Sequence, residues 1–274
     1  MGGAGYRWRV SRLPALLRAA HLGPTLAVTT IAAAYGVSVG LPASSVVLVA
    51  AAVLTGQLSV GWSNDLVDVA RDRAAGRTDK PFATGEVPLG VGRGACGAAV
   101  LLTVVLSVSC GLVAGLVHLG CVAAAWAYNL GLKATVVSFV PYAAAFGALP
   151  VFVTLAGPDV PLPGPWLVVA AALLGVGAHL VNALPDLRDD EAAGVRGLPH
   201  RLGERPSAWT AVAVLVCASV AMVLGAGAVP TAVVVAVLAV VALLAGLALV
   251  SHGRTPFRAA VGIALVDVFL VVLV

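Results

Sequence analysis

Nine runs of roughly 20 apolar residues, at 22–41, 44–63, 94–115, 116–132, 134–156, 165–184, 207–228, 230–250 and 257–274, leave this chain few ways to fold. A run of that length crosses the ~30 Å hydrocarbon layer of a bilayer as one helix, with each backbone N–H and C=O satisfied inside it. The expected fold is all-α, a polytopic membrane bundle of nine transmembrane helices forming one domain over 1–274. Charge is scarce, at 10% of residues against about 25% in soluble domains, so the lipid bilayer is the expected surrounding phase.

The charges that remain follow a topology. With the N terminus inside, the segments 1–21, 64–93, the turn at 133, 185–206 and 251–258 hold all 16 Lys and Arg, as the positive-inside rule requires. The net charge of +4 is therefore a sign of orientation, and no nucleic-acid partner follows from it. The C terminus falls outside, and a bacterial plasma membrane is the expected location. No cleavable leader is expected, because residues 1–20 lack a compact apolar core with a cleavage site after their arginines. Cys96, Cys110, Cys121 and Cys217 stand singly in apolar runs and read as small core residues.

Ten of the 12 acidic residues sit in the two long inside segments, five in each. In the first, Asn64, Asp68 and Asp72 recur at i, i+4 and i+8, drifting about 40° per step, and so share one helical face. The stretch recurs 118 residues later. Aligning 64–85 with 182–203 without gaps gives nine identities in 22 positions: Asn64/Asn182, Leu66/Leu184, Asp68/Asp186, Asp72/Asp190, Ala74-Ala75-Gly76/Ala192-Ala193-Gly194, Pro81/Pro199 and Gly85/Gly203. Four spans separate the copies, so both leave the membrane on the same side, giving two four-helix repeats plus a ninth helix with motif segments 64–93 and 185–206.

Oxygen ligands without paired His or Cys suit Mg²⁺, which joins one or two carboxylates to substrate phosphates. Asn64, Asp68, Asp72, Asp186 and Asp190 are the candidate metal ligands. Arg71, Arg73, Arg77, Lys80, Lys133, Arg188, Arg196 and Arg201 surround them with positive charge, the balance a bound diphosphate needs as a leaving group.

Asn64-Asp65-x2-Asp68-x3-Asp72 with Arg77-Thr78-Asp79-Lys80-Pro81 and Gly85, the Tyr128-x4-Lys133 turn, and Asp186-x3-Asp190 with Gly194-x-Arg196-Gly197-Leu198-Pro199-x-Arg201-Leu202-Gly203 resemble the UbiA superfamily of intramembrane prenyltransferases. The resemblance covers nearly the whole chain. It implies a bundle around a central cavity, Mg²⁺-dependent ionisation of a prenyl diphosphate, and prenyl transfer to a hydrophobic small-molecule acceptor, with no protein partner. Catalytic roles then fall to Asp68, Asp72, Asp186, Asp190 and Lys133, and substrate contacts to Asn64, Arg77, Lys80, Tyr128, Tyr142, His179, Asn182, Arg196 and Arg201. Two departures stand out: Lys80 replaces an Arg found before the Pro in many members, and Gly197 stands where Thr often follows the Arg, so a hydroxyl contact is missing.

An allylic cation also needs a dry pocket with π faces. Trp62, Trp126, Tyr128, Phe139, Tyr142 and Phe146 are candidates for it, each with ordinary packing as the alternative. His179, one turn deeper than Asn182, reads as an acceptor-positioning group, a base, or a structural histidine. His21 reads as an interfacial cap, and Asp267 as a protonated or paired carboxyl at mid-depth. Two rivals share the pattern: a membrane terpene cyclase of the same superfamily, which also begins with diphosphate ionisation, and a transporter, whose ion sites would lie nearer the midplane. The absence of an intramembrane Arg or Lys weighs against an aromatic acid acceptor.

Overall fold

The computed structural model describes residues 12–185, 187, 191, 194–225, 230–251 and 255–273, and among these every regular element is helical. In chain order they are α1 (12–18), α2 (Leu22–Ser38), α3 (Ala43–Ala74), α4 (Pro81–Thr84), α5 (Leu89–Ser109), α6 (Leu112–Leu130), a 3₁₀ turn (Leu132–Ala134), α7 (Val140–Leu155), α8 (Pro165–Ala183), α9 (Leu198–Leu202), α10 (Glu204–Gly225), α11 (Thr231–Val250) and α12 (Thr255–Leu273). Six of them, α3, α5, α6, α8, α10 and α11, are long and apolar enough to cross a membrane. α2 and α7 are shorter apolar helices, and α12 carries Arg258 and Asp267.

The boundary expected at 115/116 lies earlier. From 94 to 132 the sequence is so uniformly apolar that hydropathy offers no break. The backbone makes one at Gly111, whose φ of +113° ends the run and starts α6; that conformation suits glycine, which has no Cβ to clash.

α8 packs against both α7 and α10, while α3 packs against α2, α5 and α6. Close approach relies on glycine: a Cβ on Gly175 would come within 2.8 Å of the Phe146 Cβ, and one on Gly177 within 2.6 Å of Leu215 Cγ. Small residues at helix crossings let the backbones close in, which is how helices associate where lipid removes the usual hydrophobic drive.

The 32-residue α3 is about 48 Å long, at ~1.5 Å per residue. Residues 44–63 already measure about 30 Å, the thickness of a bilayer's hydrocarbon layer, and the stretch 64–74 continues past that apolar run as the same helix. The chain then folds back over this end. Phe82, fully buried, wedges between α3 and α5 against Leu66 and Gly92. Arg73 donates to the Phe82 and Ala83 carbonyls. From the other side, the Trp62 indole N–H donates to the Leu16 carbonyl of α1 (2.8 Å), and Arg18 pairs with Glu86 (2.6 Å).

The duplicated glycines and proline are explained by backbone shape. Gly76 and Gly194 both adopt positive φ (66° and 81°), and each N–H closes a turn onto the carbonyl three residues back, Arg73 and Glu191. Gly85 and Gly203 also have positive φ (79° and 85°). Pro81 and Pro199 lie in the first turn of the short helices α4 and α9, where a missing N–H costs nothing. The repeat is therefore a repeated fold-back after a helix, and the Asn and Asp identities are what it carries.

Candidate functional site

On the projecting end of α3 the buried acidic face is Asp65, Asp68 and Asp72, at 2%, 7% and 5% exposure, with Asn64 at its edge and half-buried. Helix geometry accounts for this. Taking Asn64 as 0°, Asp68, Asp72 and Asp65 fall at about 40°, 80° and 100°. Asp65 is thus nearer in azimuth to Asp72 than Asn64 is, a signal present in the spacing that the i, i+4, i+8 pattern passes over.

Each carboxylate has a different environment. Asp68 is doubly paired: Lys133 Nζ lies 2.6 Å from both of its oxygens, and Arg71 donates to Oδ2 at 2.7 Å. Lys133 reaches it from the 3₁₀ turn after Gly131, whose φ of +155° turns the chain at the end of α6. Asp65 Oδ1 accepts from Lys80 (2.7 Å), lies 2.8 Å from His21 Nε2, and takes a longer bond from the Asn64 amide (3.3 Å). Burial pushes the Asp65 carboxyl up, but the His21 hydrogen bond and the Lys80 charge outweigh it and hold it below the ordinary carboxylate range. Asp72 is left short of positive charge. Its Oδ2 is buried and has no partner among the described residues. Burial, reinforced by Asp68 and Asp65 and only partly opposed by Lys80 and Arg71, pushes its carboxyl up.

His21 is therefore more than a cap. Held in the left-handed region (φ 52°, ψ 58°) at the start of α2, it ties that helix to the acidic face through Asp65, and Lys80 lies 3.3 Å from the same ring nitrogen. Arg77 pairs with its neighbour Asp79 through two bonds of 2.9 and 2.8 Å, which hold that carboxyl down to about 2. A depressed carboxylate stabilises the fold above its ordinary pKa and loses that contribution only as pH falls towards 2. At 61% exposure of Asp79 the pair is a solvated one and contributes little.

Tyr128, Tyr142, Phe146 and His179 form a continuous aromatic cluster on α6, α7 and α8. Tyr128 meets Tyr142 edge-on at 5.2 Å and His179 at 5.6 Å, and Tyr142 contacts His179 at 5.1 Å and Phe146 at 6.3 Å. The Asn182 side chain hydrogen-bonds the Tyr142 hydroxyl. His179 is 1% exposed; its Nε2 lies 3.0 Å from Ser138 Oγ, and its Nδ1 has no partner among the described residues. Trp62 and Trp126 are elsewhere, in the packing between α1, α3 and α5, with Trp126 bonded to Ser59.

Ser138 explains the glycine at 197. Its hydroxyl accepts the Leu198 N–H at 3.0 Å, fixing the start of α9, the helix that carries Arg201. Gly197 packs directly on the Lys133 carbonyl, with Ser138 Oγ 3.1 Å from where a Cβ would be. A hydroxyl at this turn comes from Ser138, and the space a threonine at 197 would need is filled by the Lys133 carbonyl. Gly197→Thr therefore destabilises the protein by about 1–3 kcal/mol, read as a lower Tm in detergent; an unchanged Tm contradicts this packing.

Arg196 and Arg201 are exposed, with Arg201 Nε donating to the Arg196 carbonyl at 3.1 Å. Asp186 and Asp190, the second pair of expected ligands, lie outside the described residues, as do Arg188 and Asp189. Among the described residues no three His, Cys, Asp or Glu side chains close into a metal site, and Asp65 and Asp68 are each engaged by cations. What fits a divalent ion is the Asp72 oxygen that has no partner among the described residues; Asp68 lies one turn and Asn64 two turns away along the same helix, and all three offer oxygen, the donor type Mg²⁺ takes.

A model of the UbiA prenyltransferase family matches residues 22–270. Among solved structures, the chain is similar to an apo UbiA homologue from Aeropyrum pernix K1 (TM-score 0.70, 19% identity, 92% of this chain and 98% of that one). It is also similar to a UbiA homologue from Archaeoglobus fulgidus bound to GPP and Mg²⁺ (TM-score 0.70, 17% identity, 95% and 100%). A third similar structure concerns digeranylgeranylglyceryl phosphate synthase (TM-score 0.67, 17% identity, 96% and 98%). At these identities the likeness establishes a shared fold. No curated protein matches the chain.

Proposed function

Because the chain belongs to the UbiA prenyltransferase family, we propose that it moves a prenyl group from a prenyl diphosphate to a hydrophobic acceptor, with Mg²⁺, inside the membrane. The observation that carries this is the buried Asp65–Asp68–Asp72 face, bordered by Lys133, Arg71 and Lys80, with one Asp72 oxygen that has no partner among the described residues. In this reading nine helices span the bilayer, the N terminus and the acidic end face the cytoplasm, and the internal spaces described below belong to one central cavity.

Asn64, Asp68 and Asp72, with Asp186 and Asp190 from the second copy, would hold Mg²⁺. When bound, that ion supplies positive charge to the diphosphate and so stabilises it as a leaving group. Lys133 and Arg71, which neutralise Asp68, turn to the diphosphate oxygens as it arrives, joined by Lys80, Arg77, Arg196 and Arg201. The bond between prenyl C1 and oxygen breaks with its electron pair leaving on diphosphate. An electron-rich atom of the acceptor bonds to C1, and the acceptor then gives up a proton.

Tyr128, Tyr142 and Phe146 present ring faces to the allylic carbon and keep water out, since an allylic cation is stabilised by π density and destroyed by water. His179, set among those rings with an Nδ1 that has no partner among the described residues, orients the acceptor, and Asn182 holds Tyr142 in place.

Product identity tests the assignment. Purified protein given geranyl diphosphate, Mg²⁺ and a panel of alkylated hydroquinones and naphthols yields, by mass spectrometry, an acceptor heavier by one geranyl group. A cyclic hydrocarbon or terpene alcohol formed without consuming any acceptor would instead identify a cyclase.

A further inference from the structure

Inside the bundle, away from the acidic face, two polar side chains border a space with nothing to bond to. The space is bordered by Gln57, Val53 and Val60 of α3, His118 and Val122 of α6, and Leu149 of α7. Among the described residues neither the Gln57 amide nor His118 Nε2 has a hydrogen-bond partner, although His118 is only 3% exposed. Polar groups that find no bond in apolar surroundings are destabilising, so a polar occupant of this space is favoured.

The tautomer of His118 follows from its other nitrogen. Ser107 Oγ lies 2.5 Å from the Thr103 carbonyl and 2.7 Å from His118 Nδ1. A carbonyl only accepts, so the single Ser107 hydrogen goes to Thr103, and the Ser107 oxygen accepts from a protonated Nδ1. Nε2 is therefore a bare lone pair. The ring is fixed by stacking on Phe152 at 4.5 Å, and the missing side chain of Gly56 leaves room beside Cε1 and Nε2.

We propose that Gln57 and His118 form a hydroxyl-binding subsite for one end of the lipophilic acceptor; the assignment to the acceptor rests on the transferase reading above. A hydroxyl is the group that satisfies both partners, giving its hydrogen to Nε2 and taking one from the Gln57 amide. An ether or quinone carbonyl gives nothing to Nε2, and a carboxylate would face a lone pair with no cation lining the space. The hydrocarbon tail of the donor has a separate place. A wholly carbon-lined space shares Val28 and Leu149 with this one and continues past Tyr35, Phe146 and Leu174.

Gln57 precedes Asn64 by seven residues and Asp68 by eleven, an axial rise of about 10 and 16 Å. The acceptor thus carries its nucleophilic atom at the acidic end and a hydroxyl roughly 10 Å or more away.

The test uses the purified full chain with ¹⁵N-labelled histidine and two probes, 4-octylphenol and its methyl ether. The phenol binds about tenfold more tightly than the ether, in line with one to two hydrogen bonds, and shifts the unprotonated ring-nitrogen resonance that His118→Phe deletes. Gln57→Leu, of similar volume, brings the two affinities together and serves alone if His118→Phe does not fold. Equal affinities in the wild type, or a preference that survives Gln57→Leu, overturn the subsite. Formation of a geranylated acceptor from geranyl diphosphate, Mg²⁺ and the hydroquinone and naphthol panel by the same wild-type preparation separates the two readings. Product without phenol preference removes the subsite and keeps the transferase. Phenol preference without product upholds the subsite as a binding site and removes the transferase assignment.

Discussion

Asp68→Asn lowers turnover of a prenyl diphosphate by about 10²–10³-fold, the range seen when one preorganised electrostatic partner is lost. Asparagine keeps the shape and an acceptor oxygen but removes the charge that gathers Lys133 and Arg71 at the centre of the site. A rate loss alone could be misfolding, since the substitution also leaves two partly buried cations facing a neutral amide, and unpairing a buried charge is destabilising. Asp68→Asn/Lys133→Met resolves this. The double variant removes one positive charge with the negative one, so its Tm lies above that of Asp68→Asn, while its activity stays as low or lower. Recovery of activity together with Tm would mean that Asp68 acts only through folding.

Asp68 also shows how much was legible in advance. The spacing from 64 to 72 defines a helical face whatever the fold, and a 32-residue α3 carries that face clear of the apolar run. Orientation within the face was harder to read. Asn64 is half-buried and the interior position belongs to Asp65, because azimuths drift by about 40° every four residues and the neighbours, not the motif, decide which edge is covered. His21 and Lys80 cover Asp65 from 44 and 15 residues away, contacts that no local pattern announces.

Elsewhere the sequence supported the right residues for a partial reason. The glycines of the duplicated stretch stand in the sequence only as identities between the two copies, and their positive φ values show them to be turn formers. Gly197 looked like a lost hydroxyl, whereas Ser138, 59 positions earlier, provides one to the same backbone. Of six aromatic residues considered for the cation pocket, Tyr128, Tyr142 and Phe146 come together, while Trp62 anchors α1. Aromatic residues scattered along apolar helices carry no mark of which face they occupy when every face is apolar. Uniform hydropathy also hid the break at Gly111. In a membrane bundle periodicity is weak on all sides, so polar residues are the informative ones: Gln57, His118 and the three aspartates.

The largest expected effect is that of metal removal. Asp65, Asp68 and Asp72 on one buried face would repel a diphosphate, and the cations around them are already spent in part on Asp68 and Asp65. The Asp72 oxygen that has no partner among the described residues is where added positive charge would be held. Without a divalent ion the acidic face stays closed to an anionic substrate; with one it becomes the substrate's binding surface. The most direct measurement is therefore the rate of diphosphate release from geranyl diphosphate by the purified protein, with an alkylated hydroquinone present, as Mg²⁺ is stripped with EDTA and then restored. The account predicts no release above background in EDTA, full recovery on adding Mg²⁺, and no recovery for Asp72→Asn at the same Mg²⁺ concentration. Release that persists at its full rate in EDTA, or an Asp72→Asn protein that matches the wild type, would contradict it.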